Sequence, residues 1–188
     1  MTASIPVDTS VKDLLTKVMP DLTKQAFAES NAAAEFAGTE ITMQVDMPTS
    51  SYGYVLKDGT DIDVTEGKLD SPMVVLKVTE EDIQKMIQNQ ELDMLLGMTT
   101  DLNQAKYNCI KNISGGFNAK LANDDGSIYD IGVLFNGADS YKTTIRMKTA
   151  DSTSLMRKEA NPMNLFMAGG MQIEGDMAFA LSVQPLFS

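Results

Sequence analysis

Short segments of strict apolar–polar alternation, separated by turn residues, recur along this chain and constrain its fold more than any other feature. Ile41, Met43, Val45 and Met47 alternate with polar residues, and Pro48 to Ser51 then turns the chain. Tyr52, Tyr54 and Leu56 lead into Lys57-Asp58-Gly59, after which Ile62 and Val64 resume the alternation; Val74, Leu76 and Val78 follow beyond Gly67 and Pro72. A period of two sends successive side chains to opposite faces of a strand, and an Asp-Gly turn joins two such strands as a hairpin. The first half therefore reads as three or four antiparallel strands with one buried face. The pattern returns at Phe117, Ala119 and Leu121, at Tyr129, Ile131, Val133 and Phe135 before an Asn136-Gly137 turn, and at Ile145 and Met147. Met171, Ile173, Met177, Phe179, Leu181 and Val183 keep the same period and predict a long terminal strand, with Gly175 as a bulge or close-approach point.

Helical spacing occupies the gaps. Ser10 and Asp13 have capping-box spacing ahead of Val11, Leu14, Leu15, Val18, Met19 and Leu22, which predicts an amphipathic helix that Pro20 kinks or divides. An Ala-rich helical stretch from Leu22 to Phe36 ends at Gly38. Thr79, with Asp82 three residues on, caps a helix carrying Ile83, Met86 and Ile87, and the Met- and Leu-rich stretch from Leu92 to Met98 reads as helical. A further helix is expected over Ser152 to Glu159. Asn161 as cap and Pro162 at the first helical position open another, with Met163, Phe166 and Met167 as its apolar face and Gly169-Gly170 as its end. The passage from Ile145 into the helix at Ser152 resembles the passage from Leu76 into the helix at Thr79. The expectation is one domain over 1–188, with a helical start at 10–37, a strand–helix unit at 40–100, and a second at 115–188 that is a partial repeat or carries an insertion.

Composition limits the chemistry. Net charge is −11, so the surface repels polyanions, and nucleic acid is not an expected partner. The chain has no histidine and a single cysteine, Cys109, which removes the usual general base, the commonest metal ligand and any internal disulfide. No catalytic residue, metal site or cofactor is predicted. Met1 to Ser10 lacks the pattern of a secretory signal and no apolar run is long enough to span a membrane, so a cytoplasmic location is expected.

The segment from Asn161 to Leu181 is more specific. It has Asn-Pro, an apolar helix with Phe166, Gly169, then Met-x-Ile-x-Gly-Asp-Met from Met171 to Met177. It resembles the closing motif of the sterol-carrier-protein family. Tyr54 to Ile87 resembles that family's middle: a strand, a Lys-Asp-Gly turn, a strand ending at Glu66-Gly67, a Pro, Val-Leu-Lys-Val, and an acidic helix start at Glu80-Glu81-Asp82. The stretch from Leu92 to Tyr141 departs from the pattern, with additional strands where the family has a short link. The resemblance implies an α+β fold, with helices over one face of a mainly antiparallel sheet enclosing an apolar cavity. It also implies non-catalytic carriage of a fatty acid, acyl-CoA, sterol or phospholipid, without a cofactor.

Met163, Phe166, Met167, Met171 and Met177 match the family motif as candidate cavity-lining positions, joined by Met86, Met94, Leu95 and Phe179 from the other apolar faces. Fourteen methionines and no tryptophan suit a wall that adapts to varied ligands. The same methionines at helical or strand spacing equally suit an ordinary core. A monomer or weak dimer is expected. The alternative reading is a protein-interaction or accessory module of the same fold without a usable cavity.

Glu80-Glu81-Asp82 is explained by the helix macrodipole. Gly115-Gly116 and Gly169-Gly170 lack the Gly-Lys-Ser/Thr ending of a phosphate loop. Cys109 reads as a small buried apolar residue. Asn112-Ile113-Ser114 is a glycosylation triplet by accident, and Pro185 to Ser188 lacks a peroxisomal address.

Overall fold

The computed structural model describes residues 5–187; residues 1–4, at the head of the Met1–Ser10 stretch, and Ser188 lie outside the described residues. The first helix, α1, is Val11–Asp13, with Ser10 as its cap: the Ser10 Oγ accepts from the Asp13 N–H at 3.0 Å and donates to the Asp13 carboxylate. A π turn, Leu14–Val18, then joins it to α2, Met19–Glu29. The interruption at Pro20 takes this form because the wider turn makes room for a ring that cannot donate to the preceding turn. A short helix α3, Ala32–Glu35, completes the helical start.

Four strands follow: β1 Glu40–Asp46, β2 Ser51–Lys57, β3 Asp61–Glu66 and β4 Val74–Lys77. Helices α4 Glu80–Asn89, α5 Asp93–Thr100 and α6 Gln104–Asn112 lead to β5 Gly115–Ala122, β6 Ile128–Phe135 and β7 Thr143–Lys148. The chain closes with α7 Thr149–Met156, α8 Pro162–Met167, β8 Met171–Gly175, α9 Met177–Ser182 and a 3₁₀ turn, Gln184–Phe187. The two dipeptide turns have both residues at positive φ, Asp58 and Gly59 at 56° and 61°, Asn136 and Gly137 at 49° and 77°. The first lies in the three-residue loop Asp58-Gly59-Thr60 that closes the β2–β3 hairpin; the second, expected to turn the chain straight back, instead opens the 136–142 link, because β6 and β7 do not pair.

Among the described residues the strands form one eight-stranded sheet in the order β3-β2-β1-β4-β6-β5-β7-β8. It is mainly antiparallel. The all-antiparallel reading of the first half is corrected: β4 lies parallel to β1, as β7 lies parallel to β5. The chain leaves the three strands β1, β2 and β3 and crosses to the far side of β1, and later leaves the β5–β6 hairpin and crosses to the far side of β5. The 67–73 link crosses on the helix-free face, where Leu69 sits over Gly53 and its N–H donates to the buried Gln44 side chain at 2.8 Å. The 136–142 link runs the same way, with Tyr141 over Gly132 and the Lys142 N–H on the Gly116 carbonyl. Only the absent glycine side chain leaves room for each crossing residue.

Inward residues of every strand, among them Tyr54, Val74, Phe117, Tyr129 and Phe135, merge with the buried faces of the helices in one core. The opposite face carries Asp63, Lys120, Arg146 and Glu174, with ion pairs Lys120–Asp130 and Arg146–Glu174. A protein with one covered and one wet sheet face produces the alternation seen in the sequence.

The expectation of a long terminal strand is also corrected. The terminal strand stops at Gly175, and Met177 to Ser182 is helical. Gly175 has φ 102° and a Cβ there would meet the Lys142 carbonyl oxygen at 2.5 Å, so the strand ends against its neighbour; the Asp176 side chain then caps α9 by accepting from the Phe179 N–H at 2.9 Å. The segment Met-Ala-Phe-Ala-Leu-Ser contains no β-branched residue and prefers a helix. The Leu92–Tyr141 stretch holds α6 as well as the additional strands β5 and β6, the helix capped by Asn103 accepting from the Lys106 N–H.

Candidate functional site

Residues four and three apart share one face of a helix. Leu22, Gln25, Ala26 and Glu29 make such a stripe on α2, and Asp93, Leu96, Gly97 and Thr100 make another on α5. The two stripes line an open groove of about 870 Å³, with Ile5, Gln90, Leu92, Asp101, Met156 and Arg157 completing its walls. Its size falls in the range of small-molecule sites. The apolar part comes from Ile5, Leu22, Ala26, Leu92, Leu96 and Met156.

The wall formed by α5 is clamped to α7. Arg157 donates to Asp93 through one edge of its guanidinium, Nε to Oδ1 at 2.9 Å and Nη2 to Oδ2 at 3.1 Å. This hydrogen bonding, reinforced by the carboxylate charge, holds Arg157 above the usual guanidinium range. Asp101 takes Lys158 at 3.1 Å and the buried Lys106 at 2.7 Å. Met156 lies against Gly97, which has no side chain to push it away. The polar side chains of the groove are already engaged: Gln25 donates to Glu29 at 2.8 Å, Gln90 to the carbonyls of Ile5 and Ile87 at 2.8 Å, and Thr100 to that of Leu96 at 3.0 Å.

The nine side chains named from the sequence are not gathered here. Met86, Met94, Leu95, Met171 and Phe179 are buried in the core, Met94 and Leu95 on the same helix as the groove residue Leu96. Met163, Phe166, Met167 and Met177 are exposed, at 42%, 38%, 79% and 41%. The helix α8 thus turns outward the face that its spacing predicted to be apolar and covered. Sequence reasoning passed over Gln25, Glu29, Asp93 and Arg157. A stripe mixing Leu and Ala with Gln and Glu reads as an ordinary solvent face, and the ion pair to Arg157 spans residues far apart in the chain.

Among the described residues no group of three or more Asp, Glu, Cys or His side chains is placed to hold a metal ion. No helix there is long and apolar enough to cross a membrane. Cys109 is half-buried, its thiol pushed up by desolvation, and its Sγ meets the Ser182 carbonyl away from the groove.

Residues 102–188 match the SCP-2 sterol transfer family. The match begins inside the stretch read above as a departure, so the β5–β6 hairpin lies within the matched region, whereas Tyr54 to Ile87 lies outside it. Among solved structures, sterol carrier protein domain 2 of Helicoverpa armigera is similar at 23% identity and TM-score 0.37, over 56% of this chain and 84% of that one. Sterol carrier protein 2 like 2 of Aedes aegypti is similar at 14% identity and TM-score 0.36, over 55% of this chain and 94% of that one. Sterol carrier protein 2 of Yarrowia lipolytica, in its apo form, is similar at 13% identity and TM-score 0.25, over 95% and 98%. None of the curated proteins matches the chain.

Proposed function

We propose that this chain, whose residues 102–188 match a sterol-transfer family, binds and carries a hydrophobic ligand of the fatty-acid, acyl-CoA, sterol or phospholipid class without catalysing a reaction on it. The observation that carries the reading is the groove between α2 and α5, with its apolar stripe of Leu22, Ala26, Leu92 and Leu96. Each CH₂ removed from water there contributes about 0.8 kcal/mol, so a long chain is held with no reactive group. Met86, Met94 and Leu95 form the adaptable layer behind the groove, re-packing to suit the ligand.

The test is native mass spectrometry on purified protein, followed by titration of a fluorescent fatty-acid analogue after delipidation. Stoichiometric binding that falls at least tenfold in Leu22→Gln/Leu96→Gln supports carriage in the groove. Absence of binding in the unaltered protein overturns it. Phe166→Ser/Met167→Ser locates the C-terminal candidates: loss of ligand makes Met163, Phe166, Met167, Met171, Met177 and Phe179 part of the site, and unchanged binding confines the site to the groove.

A second reading, a self-associating accessory module, is favoured by the exposed Met163, Phe166, Met167, Met177 and Leu181 on two helices that hold no charged side chain. Sedimentation velocity across a concentration series decides it. A strict monomer removes this reading.

A further inference from the structure

We propose, resting on the self-associating reading above and independently of ligand carriage, that two copies of this chain join edge to edge through β8, antiparallel about a two-fold axis at Ile173. Among the described residues β8 is an end strand of the sheet, paired with β7 alone. The Asp176 N–H donates to the Lys142 carbonyl at 2.9 Å, and the Glu174 carbonyl accepts from the Thr143 hydroxyl at 2.9 Å. Residues 174 and 176 thus turn their main chain toward β7. Alternation along an antiparallel ladder then turns the N–H and C=O groups of Met171, Ile173 and Gly175 outward, to the open edge. A second β8 in this register takes up all of them, with Ile173 opposite Ile173 and Met171 opposite Gly175.

The two ends of the sheet are not alike. Edge strand β3 carries Asp61, Asp63 and Glu66, and α2 packs against it. Charges of that kind keep a further strand away. β8 reads Met-Gln-Ile-Glu-Gly, without the lysine or proline that guards an edge, and Arg146 holds its one carboxylate, Glu174. The occupant that fits is a second copy, because the register sets the Gln172 amide, a donor, opposite Glu174 and brings no like charges directly face to face. At a net charge of −11 two copies repel as wholes, so contact is least opposed where charge is absent. Helices α8 and α9, which both pack against β8, hold no charged side chain. A two-fold axis normal to the sheet keeps both helix layers on one face and brings these helices of the two copies together. Covering their exposed Met163, Phe166, Met167, Met177 and Leu181 removes on the order of 500 Å² per copy, so the pair reaches the roughly 1,000 Å² of a specific interface.

The experiment is sedimentation velocity over a concentration series at low and high ionic strength, followed by disulfide trapping in a Cys109→Ser background. A dimer is expected that strengthens with salt, as the repulsion between copies is screened. Gln172→Cys copies mixed with Glu174→Cys copies are expected to form a disulfide dimer faster than either variant alone, because only 172 and 174 lie opposite each other. Ile173→Pro removes an N–H that β7 does not use and is expected to weaken dimerisation at least about tenfold. Circular dichroism confirms that the variants are folded, and the cysteine pair carries the test if the proline variant is not. A strict monomer overturns this pairing and self-association together. A dimer that yields no mixed disulfide, or one that a folded Ile173→Pro leaves intact, overturns the β8 pairing while self-association stands.

Discussion

The Tyr54 hydroxyl donates to the main-chain carbonyl of Leu15 at 2.9 Å, inside a fully buried contact between β2 and the π turn. In that turn the Met19 N–H reaches back five residues to the Leu14 carbonyl, and the next bond in the same register would need an N–H that Pro20 does not have. Tyr54 supplies the missing donor. Burial accordingly drives its phenol well above the usual range. Replacement by Phe is expected to cost about 1–3 kcal/mol, because the carbonyl is left buried without a partner. Urea denaturation measures this. A smaller cost of Tyr54→Phe in a Pro20→Ala background would show that the helix has recovered its own donor.

Gly53→Ala is expected to destabilise by about 1–3 kcal/mol, since the new Cβ would sit 2.6 Å from the Leu69 Cγ and force the 67–73 link off the sheet. Gly126→Ala is a control of a different kind: nothing lies within 4 Å, but its φ of 84° strains any side chain. Restoration of Gly53→Ala by Leu69→Ala, in thermal melts, is the signature of steric conflict at the crossing. No rescue would refute it.

Asp101 neutralises a lysine whose side chain is only 6% exposed. Asp101→Asn is expected to cost about 1–3 kcal/mol, less than for a fully enclosed pair because the carboxylate itself still meets water. Lys106→Met in the same background recovers part of that loss. Amide exchange along α5 rises in Asp101→Asn if this carboxylate ties the helix to its neighbours, and stays unchanged if it does not.

Desolvation raises the Asp46 carboxyl, but hydrogen bonds from Ser51 and Gln44 and the nearby Lys68 outweigh it, leaving the group below 3.8. A depressed carboxyl contributes stability above its unfolded value, and that contribution is lost as pH falls through the folded value. Stability is therefore expected to drop on acidification below 3.8. Asp46→Asn should lower stability at pH 7 and flatten that part of the profile. An unaltered acid limb would assign the loss to other groups.

Much of the local structure is legible in the chain. Period-two alternation locates β1, β2, β5, β6 and β7, and Asp58-Gly59 marks the β2–β3 hairpin, because strand faces and tight turns follow from near-neighbour geometry; Asn136-Gly137 marks a turn as well, but one that opens a crossing link between strands that do not pair. Ser10, Thr79 and Asn161 each accept the cap hydrogen bond that their spacing predicts. At Met177 the same period-two signal was misleading. A helix cap at Asp176 and a run of helix formers compete with it, and the choice depends on how Gly175 meets Lys142 in space.

Tertiary structure alone decided which strands meet beyond the hairpins and where the groove lies. The pairing of β4 with β6 joins residues distant in sequence, and the parallel pairs depend on links that cross over Gly53 and Gly132. Leu22 and Leu96 come to line one groove only once α2 and α5 have docked, and Arg157 pairs with Asp93 only once α7 lies beside α5. Periodicity records which face of an element avoids water; it carries no information on what that face meets, since apolar attraction has no direction and any complementary surface satisfies it.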